Sequence, residues 1–105
     1  MTEIDLREFP LFSQLGESEI EQLGSQLQSR HYAARQRSFE LGDPAIGIYL
    51  VISGKVKVFR VSPNGSEQVL GVFQRGDEFA HAAVFHGGRY PASAETLEAS
   101  RLYFL

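Results

Sequence analysis

The 105-residue chain contains no cysteine. Within these residues a disulfide, a thiolate metal site and a cysteine-ligated iron–sulfur cluster are excluded, and redox sensing through sulfur has no atom to act on. Basic charge is scarce: 10 Lys and Arg stand against 13 Asp and Glu, a formal net charge of −3 at pH 7. A domain that grips phosphate backbones needs clustered Lys and Arg, so this segment is not expected to bind DNA by itself. Long apolar runs are missing as well. The first residues carry Glu3, Asp5 and Glu8 rather than a basic start followed by an apolar stretch, so neither a signal peptide nor a membrane span is read here. The resulting expectation is a soluble, cytoplasmic protein with no membrane partner.

Hydrophobic residues make up 43% of the chain, enough for one buried core, and the length leaves no room for a second domain. Residues 1–105 are read as one domain. Trp is absent, and eight Phe and four Tyr supply the bulky core material. Ten Gly and four Pro punctuate alternating apolar residues, which favours short strands joined by turns. A mainly β fold follows.

Residues 10–29 read as a leading helix. Pro10, Leu11, Phe12 and Leu15 precede Gly16, a tolerable N-cap, and Glu19 falls three positions later as in a capping box. Ile20, Leu23 and Leu27 then form one apolar stripe. From Arg30 onward the period changes to two, with turn residues at 42–44, 47, 53–54, 62–65, 76–77 and 87–88. Ile48–Ile52 is a continuous apolar run, the mark of a strand covered on both sides, and Lys55–Val61 alternates apolar and basic residues. These two are expected to pair through the turn at Ser53–Gly54. Ser62–Pro63–Asn64–Gly65 has type I turn chemistry, so Lys55–Val61 and Gln68–Phe73 should form a second hairpin. Such strands predict a small antiparallel barrel or jelly roll preceded by a short helix. The apolar stretch Arg101–Leu105 has nothing after it to cover it, and termini fray unless tied down. A longer parent protein is expected to continue beyond Leu105.

The order of motifs resembles the cyclic-nucleotide-binding-like domain of Crp/Fnr-family transcription regulators. The resemblance rests on Leu11–Phe12 and Leu15, on Phe39 with Gly42–Asp43, on the block Gly47–Val58, on Asn64–Gly65 with Gln68–Leu70, and on Gly76–Asp77–Glu78–Phe79. It covers nearly the whole chain and implies a double-stranded β-helix fold with an effector pocket. The ligand-binding positions it implies are Phe79, Ala80, His81, Ala82, Pro91, Ala92 and Ser93. Members that bind cyclic nucleotides carry Gly and Glu where Ala80 and His81 stand, and Arg where Pro91 stands. Losing a charge-assisted contact costs roughly 1.5–3 kcal/mol, about ten- to a hundredfold in affinity. Two such losses argue against cyclic AMP. Arg89, two positions before Pro91, could reach a phosphate, but strand alternation does not by itself aim it into the pocket.

Tyr90–Pro91 followed by small residues, with Ala83–Val84–Phe85 after the pocket turn, is similar to the nitric-oxide- or redox-responsive branches of the family. Some of those use haem, which stays open as a cofactor with His81 as candidate axial ligand, since a neutral imidazole can ligate iron. His31 beside Arg30 is read as a cation at the exit of the helix, and His86 as a solvated turn residue. A cupin-type metalloenzyme is the rival from another class. His81 and His86 are five apart and straddle a helical turn, so one strand face cannot present both. No carboxylate pair stands out as acid and base, and Glu67, Glu95 and Glu98 read as solvated charges. The expected role is therefore a non-enzymatic, effector-sensing domain that does not answer to cyclic AMP. Its implied partners are a small-molecule effector, a second copy in a homodimeric parent, and DNA through a domain outside these residues. The alternative is a stand-alone nucleotide- or small-ligand-binding module that regulates a partner protein.

Overall fold

A computed structural model describes residues 6–80, 83–84 and 88–105. Two short 3-10 turns, Leu6–Glu8 and Pro10–Phe12, lead into helix α1, Glu17–Gln26. Gly16 caps it in an extended conformation, and its N–H donates to Glu19 Oε1 at 3.0 Å, the backbone half of the expected capping box. The helix is shorter than the 10–29 predicted. Pro10 starts a separate 3-10 turn, and Leu27 turns extended at φ −70°, ψ 138°. The chain is already in strand β1, Gln28–Tyr32, at the next residue. His31 therefore lies exposed on a strand opposite Arg101, and the helix-exit reading of it is corrected.

The remaining strands are β2 (Arg37–Phe39), β3 (Tyr49–Ser53), β4 (Lys55–Val61), β5 (Glu67–Gln74), β6 (Glu78–Phe79), β7 (Ser93–Thr96) and β8 (Ser100–Phe104). They build two four-stranded antiparallel sheets, ordered β1-β8-β3-β6 and β2-β7-β4-β5. The sheets face one another without closing into a barrel, so of the two expected forms the jelly roll is the one observed. The β4–β5 hairpin forms as the turn chemistry predicted, with Ser62 O accepting from Gly65 N–H at 2.9 Å.

The pairing of Ile48–Ile52 with Lys55–Val61 does not form. β3 sits between β8 and β6 in one sheet, β4 between β7 and β5 in the other. Gly54 turns the corner at φ +90°, and a Cβ there would lie 2.1 Å from Ser100 Oγ and 2.7 Å from Ala99 O. Two residues of punctuation read locally as a hairpin. The long-range pairing of β3 with β8 (Leu50 opposite Tyr103, Val51 opposite Leu102) overrides it. β8 is an inner strand of its sheet, tied to β1 on one side and β3 on the other.

The double coverage expected of Ile48–Ile52 is observed. Ile48, Leu50 and Ile52 pack with Leu6, Phe9, Phe12 and Tyr103 on one side of the sheet, where α1 lays down Ile20 and Leu23 and the residue after it, Leu27, joins them. Tyr49 and Val51 face the other way, into the space between the sheets, against Phe39, Val56, Phe79, Tyr90 and Leu102. Burying each such side chain is worth about 1.5–3 kcal/mol. Outside the second sheet, Phe59 is buried beneath Arg37 and Lys57, whose cationic groups stand 4.9 Å and 4.8 Å from its ring centroid. Glu95, expected to be a solvated charge, lies between these two cations in the register. Its Oε1 accepts from Arg37 Nε at 2.9 Å, and that hydrogen bond holds its pKa below the usual carboxylate value.

Candidate functional site

Between the two sheets, at the end where β6 and β7 terminate, the fold leaves a cavity of about 370 Å³. That is within the size range of small-molecule sites, roughly 300–1,000 Å³. Its floor is aromatic. Phe39 stacks on Tyr90 with ring centroids 3.9 Å apart and 12° between planes, and Phe79 stacks on Tyr49 at 5.2 Å and 9°. Val58, Leu70, Phe73, Ala83, Pro91 and Ala92 complete most of the wall. Leu70 owes its place to a β-bulge: Val58 pairs with Gly71 and Phe59 with Val69, leaving Leu70 as the extra residue.

The polar groups near this floor are already engaged. The Tyr90 hydroxyl donates to Gly47 O at 2.7 Å and accepts from Gly47 N–H at 3.3 Å. The Tyr49 hydroxyl donates to Ser38 O at 3.2 Å. Burial pushes both phenols above the usual tyrosine pKa, so both stay neutral donors through the physiological range. Glu78 contributes the one acidic side chain among the described lining residues. Among the described residues, no nucleophile paired with a base lines the cavity and no group of three metal-binding side chains occurs. What the arrangement can do is hold an apolar or planar molecule by burial and stacking.

Of the seven positions implied by the resemblance, Phe79, Ala80, Pro91 and Ala92 line the cavity. Ala80, which the resemblance sets at a glycine position, adopts a glycine-like backbone at φ +77°. Ser93 is not brought in. It lies opposite Phe59, on the outer face of β7, and its Oγ accepts from Leu41 N–H at 2.9 Å. Strand alternation gives the inner positions to Ala92 and Ala94 instead. His81 and Ala82 lie outside the described residues, as does His86. Arg89 bridges to Pro44, and its Nη1 donates to Gly42 O at 2.8 Å, away from the cavity. Sequence reasoning passed over Phe39, Val58, Leu70, Phe73 and Tyr90 as site residues. The inward register of Val58 was legible from the alternation of β4; the bulge that aims Leu70 was not.

The cyclic nucleotide-binding domain profile matches residues 29–105. The chain belongs to the cyclic nucleotide-binding domain family. Its relatives include Crp/Fnr-type regulators as well as uncharacterized NTE family proteins. The chain is 34% identical over 96 residues to the cyclic AMP receptor protein of Thermus thermophilus, covering 91% of this chain and 44% of that protein. To the fumarate and nitrate reduction regulatory protein of Salmonella typhimurium it is 30% identical, covering 82% of this chain and 34% of the relative. The sensor domain of the transcriptional regulator DNR from Pseudomonas aeruginosa superposes with a TM-score of 0.89 at 30% identity, over 94% of this chain and 67% of that one. The chain thus spans less than half the length of these curated relatives. Among the described residues, the wall of the cavity between the sheets is almost wholly apolar.

The described wall offers haem no axial ligand. The described lining holds no imidazole, thiolate or thioether, and its one phenol, Tyr90, is spent on Gly47. An axial ligand would have to come from His81, which lies outside the described residues. No helix of the described residues is long and apolar enough to cross a membrane.

Proposed function

We propose that this domain is the effector-sensing module of a Crp/Fnr-type regulator and that its effector is a small, largely apolar molecule rather than a cyclic nucleotide. The observation that carries the reading is the cavity wall: apolar side chains on nearly every side, with Pro91 rather than a cation at its edge. None of the described lining residues carries a positive charge, so a cyclic phosphate seated against that wall would lose its hydration with no charged partner there, and burying an unpaired ion costs far more than a stacked ring regains. A ligand between the sheets would touch β6, the segment leading into β7 and the β4–β5 hairpin together, all of which line the cavity. In the full-length parent that binding would bias a homodimer and a DNA-binding domain lying outside this chain. The domain performs no chemistry of its own and works in the cytoplasm.

Identity to the Thermus cyclic AMP receptor protein favours a second reading, a cyclic nucleotide held by groups outside the described residues. Thermal-shift titration of the chain with cyclic AMP and cyclic GMP separates the two. A ligand at about 100 times its Kd adds roughly 2.7 kcal/mol of stability. The apolar reading expects no shift with either nucleotide. A saturable rise in Tm would overturn it. The paired substitution His81→Glu with Pro91→Arg should confer nucleotide binding that the natural chain lacks.

A further inference from the structure

Arg60 occupies a place that the apolar cavity leaves unexplained. Along β4, Val56 and Val58 face the space between the sheets, while Lys57 and Phe59 face outward. Alternation puts Arg60 on the inner side, one step beyond Val58, which is part of the cavity wall. β5 pairs Arg60 with Gln68 on one side, but β7 reaches only to Ser93, opposite Phe59, so on the other side the position is open and Arg60 lies exposed, just outside the residues that line the cavity. The side chain instead crosses to the residue that edges the cavity: Nε of Arg60 donates to Pro91 O at 2.8 Å. One N–H thereby fixes the plane of the guanidinium. Among the described residues no carboxylate pairs with it, whereas Arg37 and Lys57 on the outer face are both matched to glutamates.

We infer that Arg60 is the anion anchor of the effector pocket, and that the natural effector is an aromatic or otherwise apolar acid, its body between the sheets and its carboxylate or other anionic group on the Arg60 guanidinium. This rests on the apolar-effector reading above and adds the charge to it. The chemistry is complementary at both ends. A planar guanidinium offers a fork of N–H donors matched to two oxygens of an anion. Here the fork is steadied by Pro91 O, which lowers the entropy lost when a ligand is bound. The stacked Phe39–Tyr90 and Tyr49–Phe79 pairs supply an apolar floor that an anion could not enter. An acid with its charge at one end therefore has one orientation, charge outward.

Two fluorescent probes that differ by a single sulfonate test this: 1-anilinonaphthalene-8-sulfonate and the uncharged N-phenyl-1-naphthylamine, titrated into the wild-type chain and Arg60→Gln. The expectation is that both bind the wild type, and that Arg60→Gln weakens the sulfonate roughly tenfold, the worth of one charge-assisted contact, while leaving the amine within about twofold. Arg60→Lys should retain part of the sulfonate affinity. Val58→Phe, which fills the cavity, should remove both probes, with circular dichroism showing that it still folds. Equal weakening of both probes by Arg60→Gln would overturn the inference, since Arg60 would then only shape the pocket through Pro91. An unchanged sulfonate affinity, or a wild type that binds the amine and refuses the sulfonate, would overturn it too while leaving the apolar-effector reading in place. Failure of the wild type to bind either probe would overturn both.

Discussion

Gly54 and Gly65 share a backbone conformation, at φ +90° and +87°, and differ in everything around it. A Cβ on Gly65 would meet nothing within 4 Å; one on Gly54 would lie 2.1 Å from Ser100 Oγ, 2.6 Å from Ser100 Cβ and 2.7 Å from Ala99 O. Gly65→Ala therefore carries only the cost of forcing an L-residue into the left-handed region, about 1–2 kcal/mol. Gly54→Ala carries the same cost plus overpacking, typically a further 1–3 kcal/mol, and the blocking atoms include backbone that cannot swing aside. A change of 1 kcal/mol moves Tm by roughly 4–8 °C in a domain of this size. The two variants should then differ by at least about 5 °C, Gly54→Ala being the less stable, in thermal unfolding followed by circular dichroism and in urea midpoint. Ser100→Ala should not rescue Gly54→Ala, because Ser100 Cβ and Ala99 O remain in the way, and the hydroxyl it removes hydrogen-bonds Lys55 and Glu98. Equal losses at the two glycines would refute the reasoning. The corner between sheets would then not be a close approach, and a β3–β4 hairpin, with strands no longer divided between two sheets, would regain its standing.

Three further outcomes follow from the same geometry. Ala80→Gly relieves left-handed strain of about 1–2 kcal/mol against an unfolded-chain entropy of about 0.4–1 kcal/mol; a Tm rise of a few degrees is expected, and a fall would contradict the φ of +77°. Tyr49 has its pKa raised by burial, so its contribution is fully present below the unfolded value near 10 and is lost as pH climbs above it, by up to about 1.4 kcal/mol per pH unit. Urea unfolding between pH 8 and 11 should show a shallower alkaline decline for Tyr49→Phe than for the wild type, and parallel curves would count against the assignment. Glu95 has its pKa lowered, first by the Arg37 hydrogen bond, so its contribution is present above the unfolded carboxylate value and is lost as pH falls below it. Arg37 is partly exposed, and solvent screening limits the pair to about 0.2–1 kcal/mol. Glu95→Gln should cost that much at pH 7 and nothing near pH 2, a difference that denaturant midpoints at the two pH values can read.

Much of the scaffold was legible because it is written in local chemistry. The apolar run Ile48–Ile52 needs cover on both faces, and it has it. Gly16 and Glu19 mark the start of α1, and Pro63 with Gly65 marks the β4–β5 turn. Phe79, Ala80, Pro91 and Ala92, which the resemblance implies as ligand-binding positions, line the cavity between the sheets. Ser93 was misplaced for a specific reason. The inward phase of β7 is set by its pairing with β4 more than thirty residues away, where Ala94 meets Val58 and Ser93 meets Phe59. Glu95 was misread on the same account, as its neighbours Arg37 and Lys57 come from two other strands.

The sequence by itself determined composition-level exclusions, the turn positions and the strand periods, since each depends on residues within one or two turns of chain, and the family resemblance implied Pro91 in place of an Arg. Tertiary structure alone decided which strands share a sheet, that Gly54 is a corner rather than a hairpin, that a bulge turns Leu70 inward, and that Arg60 reaches Pro91. Those are long-range facts: they follow from burying two aromatic faces against each other, and that global packing is specified by the sum of the chain and by no segment of it.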